Sequence, residues 1–182
     1  MHPDLGFDEA RQFYHQVRRR AFERIRHSLV TRRVVDGSFA VRGLDVSAVE
    51  AWERTWRGSP HWSRRGGFQW ALLHRRYCRK PRNFHCALWY GSELCGLAAG
   101  RLSESHGVLC LHFMEGNPNP DHPLRGNVAA ITFACAELYA IAVGASRLLL
   151  KNPDPELTGY YSELGFGVAY SDHGTRYCGR DL

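Results

Sequence analysis

The chain turns at residues 125–128, Arg-Gly-Asn-Val, and then continues as a long apolar pattern. The period of that pattern predicts a helix over 127–143, and Gly144 follows where a glycine commonly ends a helix. Because the pattern is apolar on nearly every side, we expect this helix to lie inside the core rather than on its surface. A strand pattern at 147–151 follows at once.

The segments on either side of this helix and strand predict a sheet. Upstream, strand patterns at 83–90, 94–102 and 108–114 are separated by short turns, which indicates an antiparallel meander. Downstream, a short helix is predicted over 155–164, and its end lies within the motif Tyr161-Ser-Glu-Leu-Gly165-Phe166. Strands are predicted near 168–170 and 175–178.

The N-terminal third predicts mainly helices. A helix over 8–33 carries an apolar residue every fourth position (Phe13, Val17, Ala21, Ile25 and Leu29). A strand at 38–44 and helices at 45–56 and 68–79 follow, with a basic and aromatic connection at 58–67.

Composition excludes several classes of protein. The 182 residues are 44% hydrophobic, enough to build a core, and no stretch of about 18 residues lacks a charged residue, so we expect no membrane crossing. The N-terminus lacks a signal-peptide pattern, so we expect a cytoplasmic protein with reduced cysteines. The six cysteines and ten histidines lack the short spacing of metal ligands, and we expect no metal.

The order of elements and two motifs resemble the GCN5-related N-acetyltransferase (GNAT) superfamily. The family's Arg-Gly-x-Gly turn and its Tyr-x-x-x-Gly-Phe helix end correspond to residues 125–128 and 161–166. The resemblance covers roughly residues 38–170. It implies an α/β (α+β) fold, a mixed and mostly antiparallel sheet with helices on both faces. We therefore divide the chain into an extra N-terminal basic helix, 1–34, and a GNAT-like domain, 35–182.

The resemblance also implies a site for acetyl-CoA. A glycine turn at a helix N-terminus offers unpaired N–H groups and a positive dipole end, which suit a pyrophosphate. The family holds pantetheine between the strands that correspond to 108–114 and 146–150. The implied cofactor-binding residues are Phe113, Met114, Arg125, Gly126, Asn127, Val128, Ala129 and Asn152.

The turn departs from the family pattern Gln/Arg-x-x-Gly-x-Gly/Ala. Pro123 stands at its first position and Val128 at its second glycine, so the pyrophosphate-binding turn is degenerate. A β-branched residue at this point can block the approach to an amide. A non-catalytic binding module with the same fold therefore stays open as an alternative.

Acetyl transfer to an amine needs a base for the ammonium and an acid for the departing thiolate. The resemblance gives Tyr161 the role of acid, and a phenol suits a thiolate of similar basicity. Glu115, just past the third strand of the meander, is the predicted base, and His112 on that strand is the alternative.

The sequence says less about the acceptor of the acetyl group than about the cofactor. A primary amine of a small molecule or a peptide is the first hypothesis, and toxin-type acetylation of aminoacyl-tRNA is an alternative. Twenty-two arginines and a net charge of +6 fit a phosphate-bearing partner, and eight of the arginines lie in residues 1–33. One interpretation of that helix is a face for RNA or an acidic partner. The other, which we favour, is an arginine-rich solvated face of a helix that packs on the domain. We expect a monomer or a homodimer. Aromatic and basic residues around 58–67 are either an acceptor groove or core tryptophans beside solvated arginines, and we favour the latter: Trp56, His61, Trp62, Arg64, Arg65 and Trp70.

Overall fold

The structure is a computed structural model that describes residues 6–59, 67–168 and 170–182. Its strands are β1 (Phe39–Arg42), β2 (Phe84–Tyr90), β3 (Glu93–Leu102), β4 (Val108–Gly116), β5 (Arg147–Lys151), β6 (Tyr170–Asp172) and β7 (Thr175–Asp181). They form one sheet in the order β1-β2-β3-β4-β5-β7-β6. Strands β4 and β5 are parallel, and all other neighbours are antiparallel. The predicted mixed, mostly antiparallel sheet is confirmed.

Five helices accompany the sheet in the described part of the chain: α1 (Phe7–Thr31), α2 (Val46–Thr55), α3 (Trp70–Tyr77), α4 (Val128–Ala142) and α5 (Thr158–Glu163). A short 3-10 turn, Pro155–Leu157, precedes α5. The Asp45 carboxylate begins α2 by accepting the N–H of Ala48 at 2.9 Å. No helix in the described part is long and apolar enough to cross a bilayer.

Helix α4 lies in the main core, as its apolar pattern predicted. It contacts α1 on one side and strands β2 to β5 on the other. Phe133, Cys135, Ala136 and Tyr139 are all buried in this layer. One face of the sheet is therefore sealed by α1 and α4.

Helix α1 contributes to this core rather than standing apart from it. Tyr14, Ala21 and Phe22 are buried there, beside the predicted apolar stripe. Arg18 is buried too, and its Nη1 donates to the carbonyl oxygens of Pro81 at 2.6 Å and Asn83 at 2.9 Å. The division of the chain at residue 34 stays a prediction, but the two parts share one hydrophobic core.

The opposite face carries a second core, rich in tryptophan. Helices α2 and α3 bury Trp52, Trp56, Trp70 and Tyr77 against Trp89 and the small residues of β2 and β3. The interpretation of Trp56 and Trp70 as core residues is confirmed, since both are fully buried. The remaining members of that basic and aromatic group, His61, Trp62, Arg64 and Arg65, lie outside the described residues.

Candidate active site

The parallel strands β4 and β5 stay paired over a short distance and then separate. Their register runs from Val108 opposite Arg147 to Leu111 opposite Leu150. Beyond that pair, β4 continues to Gly116 alongside β3, whereas β5 ends at residue 151. A gap therefore opens between the two strands at their carboxyl ends.

A β-bulge lies at the point of separation. Ala99 of β3 is opposite Phe113, but the next residue, Gly100, is opposite Leu111, so His112 is left without a partner in the β3 ladder. His112 and Phe113 consequently both contact Tyr77 on the tryptophan-rich face, although they are neighbours in the chain. Bulges bend the strand that carries them, and this one lies at the point where the pairing of β4 with β5 ends.

The gap holds a cavity of about 270 Å³. Seven of the ten predicted site residues line it together, drawn from β4, α4, the end of β5 and α5. They are Phe113, Met114, Glu115, Val128, Ala129, Asn152 and Tyr161. Arg125, Gly126 and Asn127 do not line the cavity itself and lie in the turn that enters α4.

The turn into α4 has the backbone expected of a glycine turn. Gly126 has a φ of +79°, a left-handed conformation that favours glycine. The first bond of the helix runs from the Ile131 N–H to the Asn127 carbonyl at 3.0 Å, and the Asn127 N–H itself donates to the Leu124 carbonyl at 3.0 Å. The N–H groups of Val128 and Ala129 are left at an open helix end. The Arg125 guanidinium is turned back into its own loop and donates to the Pro120 carbonyl at 3.1 Å.

The structure accounts for the unusual valine in this turn. Val128 is buried, and a Cβ added to Gly96 of β3 would lie 2.7 Å from its Cγ1 atom. Its other neighbour is Gly116, where an added Cβ would be 3.7 Å away. The side chain thus packs into space left by Gly96, so the departure from the family pattern is matched by a glycine in the sheet.

The predicted acid, Tyr161, is 7% exposed and borders the cavity from α5. Its ring packs on Phe133 and Phe166, with centroids 6.2 Å and 6.5 Å away. Burial, followed by the negative charge of Asp154, raises the pKa of its phenol above the usual value. The hydroxyl therefore stays protonated throughout the neutral range.

The predicted base, Glu115, is 6% exposed and is held by N–H donors from the start of α3. Its Oε1 accepts from the Gly67 N–H at 2.8 Å. Its Oε2 accepts from the Phe68 N–H at 3.3 Å and from the indole of Trp70 at 2.6 Å. The carboxylate therefore ties the segment before α3 to the far end of β4, while bordering the cavity.

The alternative base, His112, borders the same cavity and contacts α3. Its Nδ1 lies 2.7 Å from the Tyr77 hydroxyl. Burial, together with the positive charges of Lys151, Arg101 and Arg76, lowers the pKa of His112 to about 4, so the ring is neutral at pH 7. The Arg101 guanidinium lies over the Tyr77 ring, 5.4 Å from its centroid.

Asn152 ends β5 and has a backbone role. Its φ is +50°, its N–H donates to the Arg176 carbonyl at 2.7 Å, and its Oδ1 accepts the Arg176 N–H at 3.3 Å. Pro153 follows and has no N–H to continue the strand. Together they turn the chain from β5 toward α5 beside the cavity.

Sequence reasoning missed several residues of this site. Tyr77 of α3 contacts His112, and Arg101 of β3 lies over the Tyr77 ring. Phe68, Phe133 and Lys151 border the cavity. The sequence carries no local signal for the contact of Tyr77 with His112, because the apolar alternation of Leu109, Leu111 and Phe113 continues through the bulge. Within the described part of the chain, no three His, Cys, Asp or Glu side chains are grouped to hold a metal.

No protein-family model matches the chain, and no curated protein sequence does. Its fold is nevertheless similar to solved acetyltransferase structures. An acetyltransferase from Thermus thermophilus is 17% identical with a TM-score of 0.59, covering 80% of this chain and 97% of that one. Ard1 from Thermoplasma volcanium is 17% identical with a TM-score of 0.54, covering 80% and 98%. The PaiA N-acetyltransferase from Thermoplasma acidophilum, solved in complex with coenzyme A, is 16% identical with a TM-score of 0.52, covering 80% and 99%.

These likenesses extend over almost the whole of each neighbour. The chain therefore has the fold of the GCN5-related N-acetyltransferase superfamily.

Proposed function

We propose that the protein is an acetyl-CoA-dependent N-acetyltransferase that acts on a primary amine. The observation that carries the proposal is the gap between β4 and β5, which brings Tyr161, Glu115 and the start of α4 around one cavity. The structural neighbours support it, since they are acetyltransferases and one was solved with coenzyme A.

The residues present fit the cofactor. Beyond Leu111, β4 has lost β5 as a partner, so the backbone of Phe113 and Met114 on that side can pair with an extended amide-bearing chain. Gly126 and the N–H groups of Val128 and Ala129 at the start of α4 suit a pyrophosphate, with Asn127 beside it. When bound, acetyl-CoA supplies an activated acetyl thioester.

Tyr161 is proposed as the general acid. Its raised pKa keeps the proton on the phenol until the transition state needs it. In the balanced reaction, the amine nitrogen bonds to the acetyl carbon as the carbon–sulfur bond breaks. Of the two protons that the ammonium nitrogen loses, the base would take one before attack and the second would restore the Tyr161 phenol after Tyr161 has protonated the departing sulfur.

Glu115 and His112 are the two proposed proton acceptors, and the structure gives each a different second role. Replacing Glu115 with Gln puts an NH₂ group against N–H donors, so we expect a loss of thermal stability as well as of kcat. Replacing His112 with Gln keeps a polar partner for Tyr77 at the bulge. His112 is the base if His112→Gln lowers kcat by at least about tenfold at unchanged melting temperature, while Glu115→Gln lowers kcat only as far as its loss of thermal stability explains.

Calorimetry with acetyl-CoA, followed by thiol release in the presence of primary amines, tests the proposal. We expect saturable binding at sub-millimolar cofactor and amine-dependent release of coenzyme A. Absence of binding heat would contradict the proposal. Binding without turnover on any amine would favour the non-catalytic module instead.

The RNA hypothesis remains a prediction that concerns α1. Arg18 is buried, and Arg26 donates to the Phe39 carbonyl at 3.0 Å, so these two arginines serve the fold. The other six arginines of residues 1–33 are exposed. RNA affinity that falls steeply with salt would favour acetylation of aminoacyl-tRNA.

A further inference from the structure

The cavity is bordered by side chains from both faces of the sheet, and His112 and Lys151 belong to the face on which α2 and α3 pack. Along β4 and β5, Leu109, Leu111, Leu148 and Leu150 are buried in the α1/α4 core. Their neighbours alternate to the other face, where they are only half-buried: Cys110, His112, Leu149 and Lys151. We call this half-buried group, with Tyr77 and Arg101 beside it, the open face.

The open face is positively charged around His112. Lys151 approaches it from β5, Arg101 from β3 across the Tyr77 ring, and Arg76 from α3. Within the described residues, no carboxylate forms an ion pair with any of these three cations. Arg147, on the same side of β5, is different, because it pairs with Asp181 at 3.2 Å.

Two acids border the same cavity, Glu115 and Asp154, and each accepts N–H groups of the protein. The Glu115 carboxylate is buried and turned to the Gly67, Phe68 and Trp70 N–H groups. The Asp154 carboxylate lies on the α5 side, where it accepts the Glu156 N–H at 3.0 Å. A protonated amine that approached His112 alone would therefore meet three like charges.

We propose that the acceptor is an amine that also carries an anionic group, a carboxylate or a phosphate, which Lys151 and Arg101 bind while the amine lies at the mouth of the cavity beside His112. This inference rests on the proposed acetyltransferase function and names its substrate class. The anion offsets the repulsion of the ammonium during binding. The same positive field then favours loss of the ammonium proton, which produces the neutral amine that reaction requires.

Matched acceptors of similar length test the inference through kcat/KM. We expect β-alanine or 2-aminoethyl phosphate to exceed ethanolamine by about tenfold or more, with 1,3-diaminopropane the poorest. The better of the two anionic acceptors identifies carboxylate or phosphate as the bound group. Equal values for the four amines, or preference for the diamine, would overturn the inference.

Variants of the cations test which side chains produce the preference for an anionic acceptor. Lys151→Met and Arg101→Met should each reduce the preference for the anionic acceptor over ethanolamine by about fivefold to tenfold. Arg147→Met removes a cation from the same strand that is already paired, and should leave the preference unchanged. A preference unaltered by Lys151→Met and Arg101→Met, or lost equally with Arg147→Met, would contradict the assignment.

A binding measurement separates this inference from the proposed function. Propionate and methyl phosphate, which lack an amine, are titrated into the free protein while the His112 ring is followed by NMR. We expect at least one to give a saturable shift that Lys151→Met and Arg101→Met weaken, and a shift from neither would overturn the inference. If acetyl-CoA fails to bind, the proposed function fails whatever the anions do. If acetyl-CoA binds and the diamine is preferred, only the inference fails.

Discussion

The paired half and the open half of strands β4 and β5 differ in the contacts that their residues make. In the paired half, Leu109 and Leu111 lie beside Leu148 and Leu150, and the strands close a continuous hydrophobic core. In the open half, β4 continues past the bulge at His112, while β5 stops at a left-handed Asn152. One extra residue in one strand and a turn in the other therefore convert a closed sheet into a site with polar groups at its edges.

The largest expected effect lies in the open half. Tyr161→Phe removes the proposed acid and should lower kcat by about 100-fold with little change in acetyl-CoA affinity. Tyr170→Phe, which removes a hydroxyl from an exposed tyrosine of β6, is the control and should stay within about threefold. Steady-state kinetics with an identified acceptor measures both, and equal rates for Tyr161→Phe and wild type would show that the acid lies elsewhere.

The bulge at His112 separates the paired half from the open half, and a substitution in β3 can strain it. A Cβ on Gly100, opposite the bulge, would lie 2.6 Å from the backbone oxygen of Cys110. Because backbone cannot move aside as a side chain can, Gly100→Ala should destabilise the fold by about 1–3 kcal/mol. Gly107→Ala, whose Cβ would meet nothing closer than 3.7 Å, is the control. Chemical denaturation measures both, and equal midpoints would contradict the account of the bulge.

The pH dependence of stability compares His112 at the open half with His85 at the far end of β2. Burial, followed by the charges of Arg18, His74 and His15, lowers the pKa of His85 to about 3, while that of His112 is about 4. Between these values and about 6.5 the unfolded chain binds protons that the folded chain excludes. The contribution of the two histidines to the free energy of unfolding should therefore be fully present above pH 6.5 and decrease as the pH drops toward 4. For His85 alone, the decrease should be about 1–2 kcal/mol at pH 5.

Substitution separates the two histidines. His85→Gln keeps an acceptor for the Leu44 N–H, which His85 Nδ1 accepts at 3.0 Å, but it cannot be protonated. Its stability should fall less between pH 7 and 5 than that of the wild type. Melting curves across this range measure the slope, and an unchanged slope in His85→Gln would assign the pH dependence to other groups.

Local patterns in the sequence predicted most of the fold. The apolar period of 127–143 placed α4 in the core, and alternation placed the meander, because both depend on neighbours a few residues away. The Tyr-x-x-x-Gly-Phe motif led to Tyr161, which does border the cavity. Whether Tyr161 and Glu115 act in the proposed roles remains a prediction.

What the sequence could not show depends on contacts between distant segments. The fit of Val128 against Gly96 and the contact of Tyr77 with His112 join residues far apart in the chain, and they leave no local period. Arg18 is another contact between distant segments. The charge of its helix predicted a solvated face, but its guanidinium donates to the Pro81 and Asn83 carbonyls.

Backbone amide NMR during titration with coenzyme A tests the central claim most directly, because it asks which half of the β4–β5 pair binds the cofactor. We expect saturable shifts concentrated at residues 113–116 and 126–130, with residues 108–111 and 147–150 changing least. Shifts centred on the paired half or on α1, or no saturable shifts at all, would contradict it.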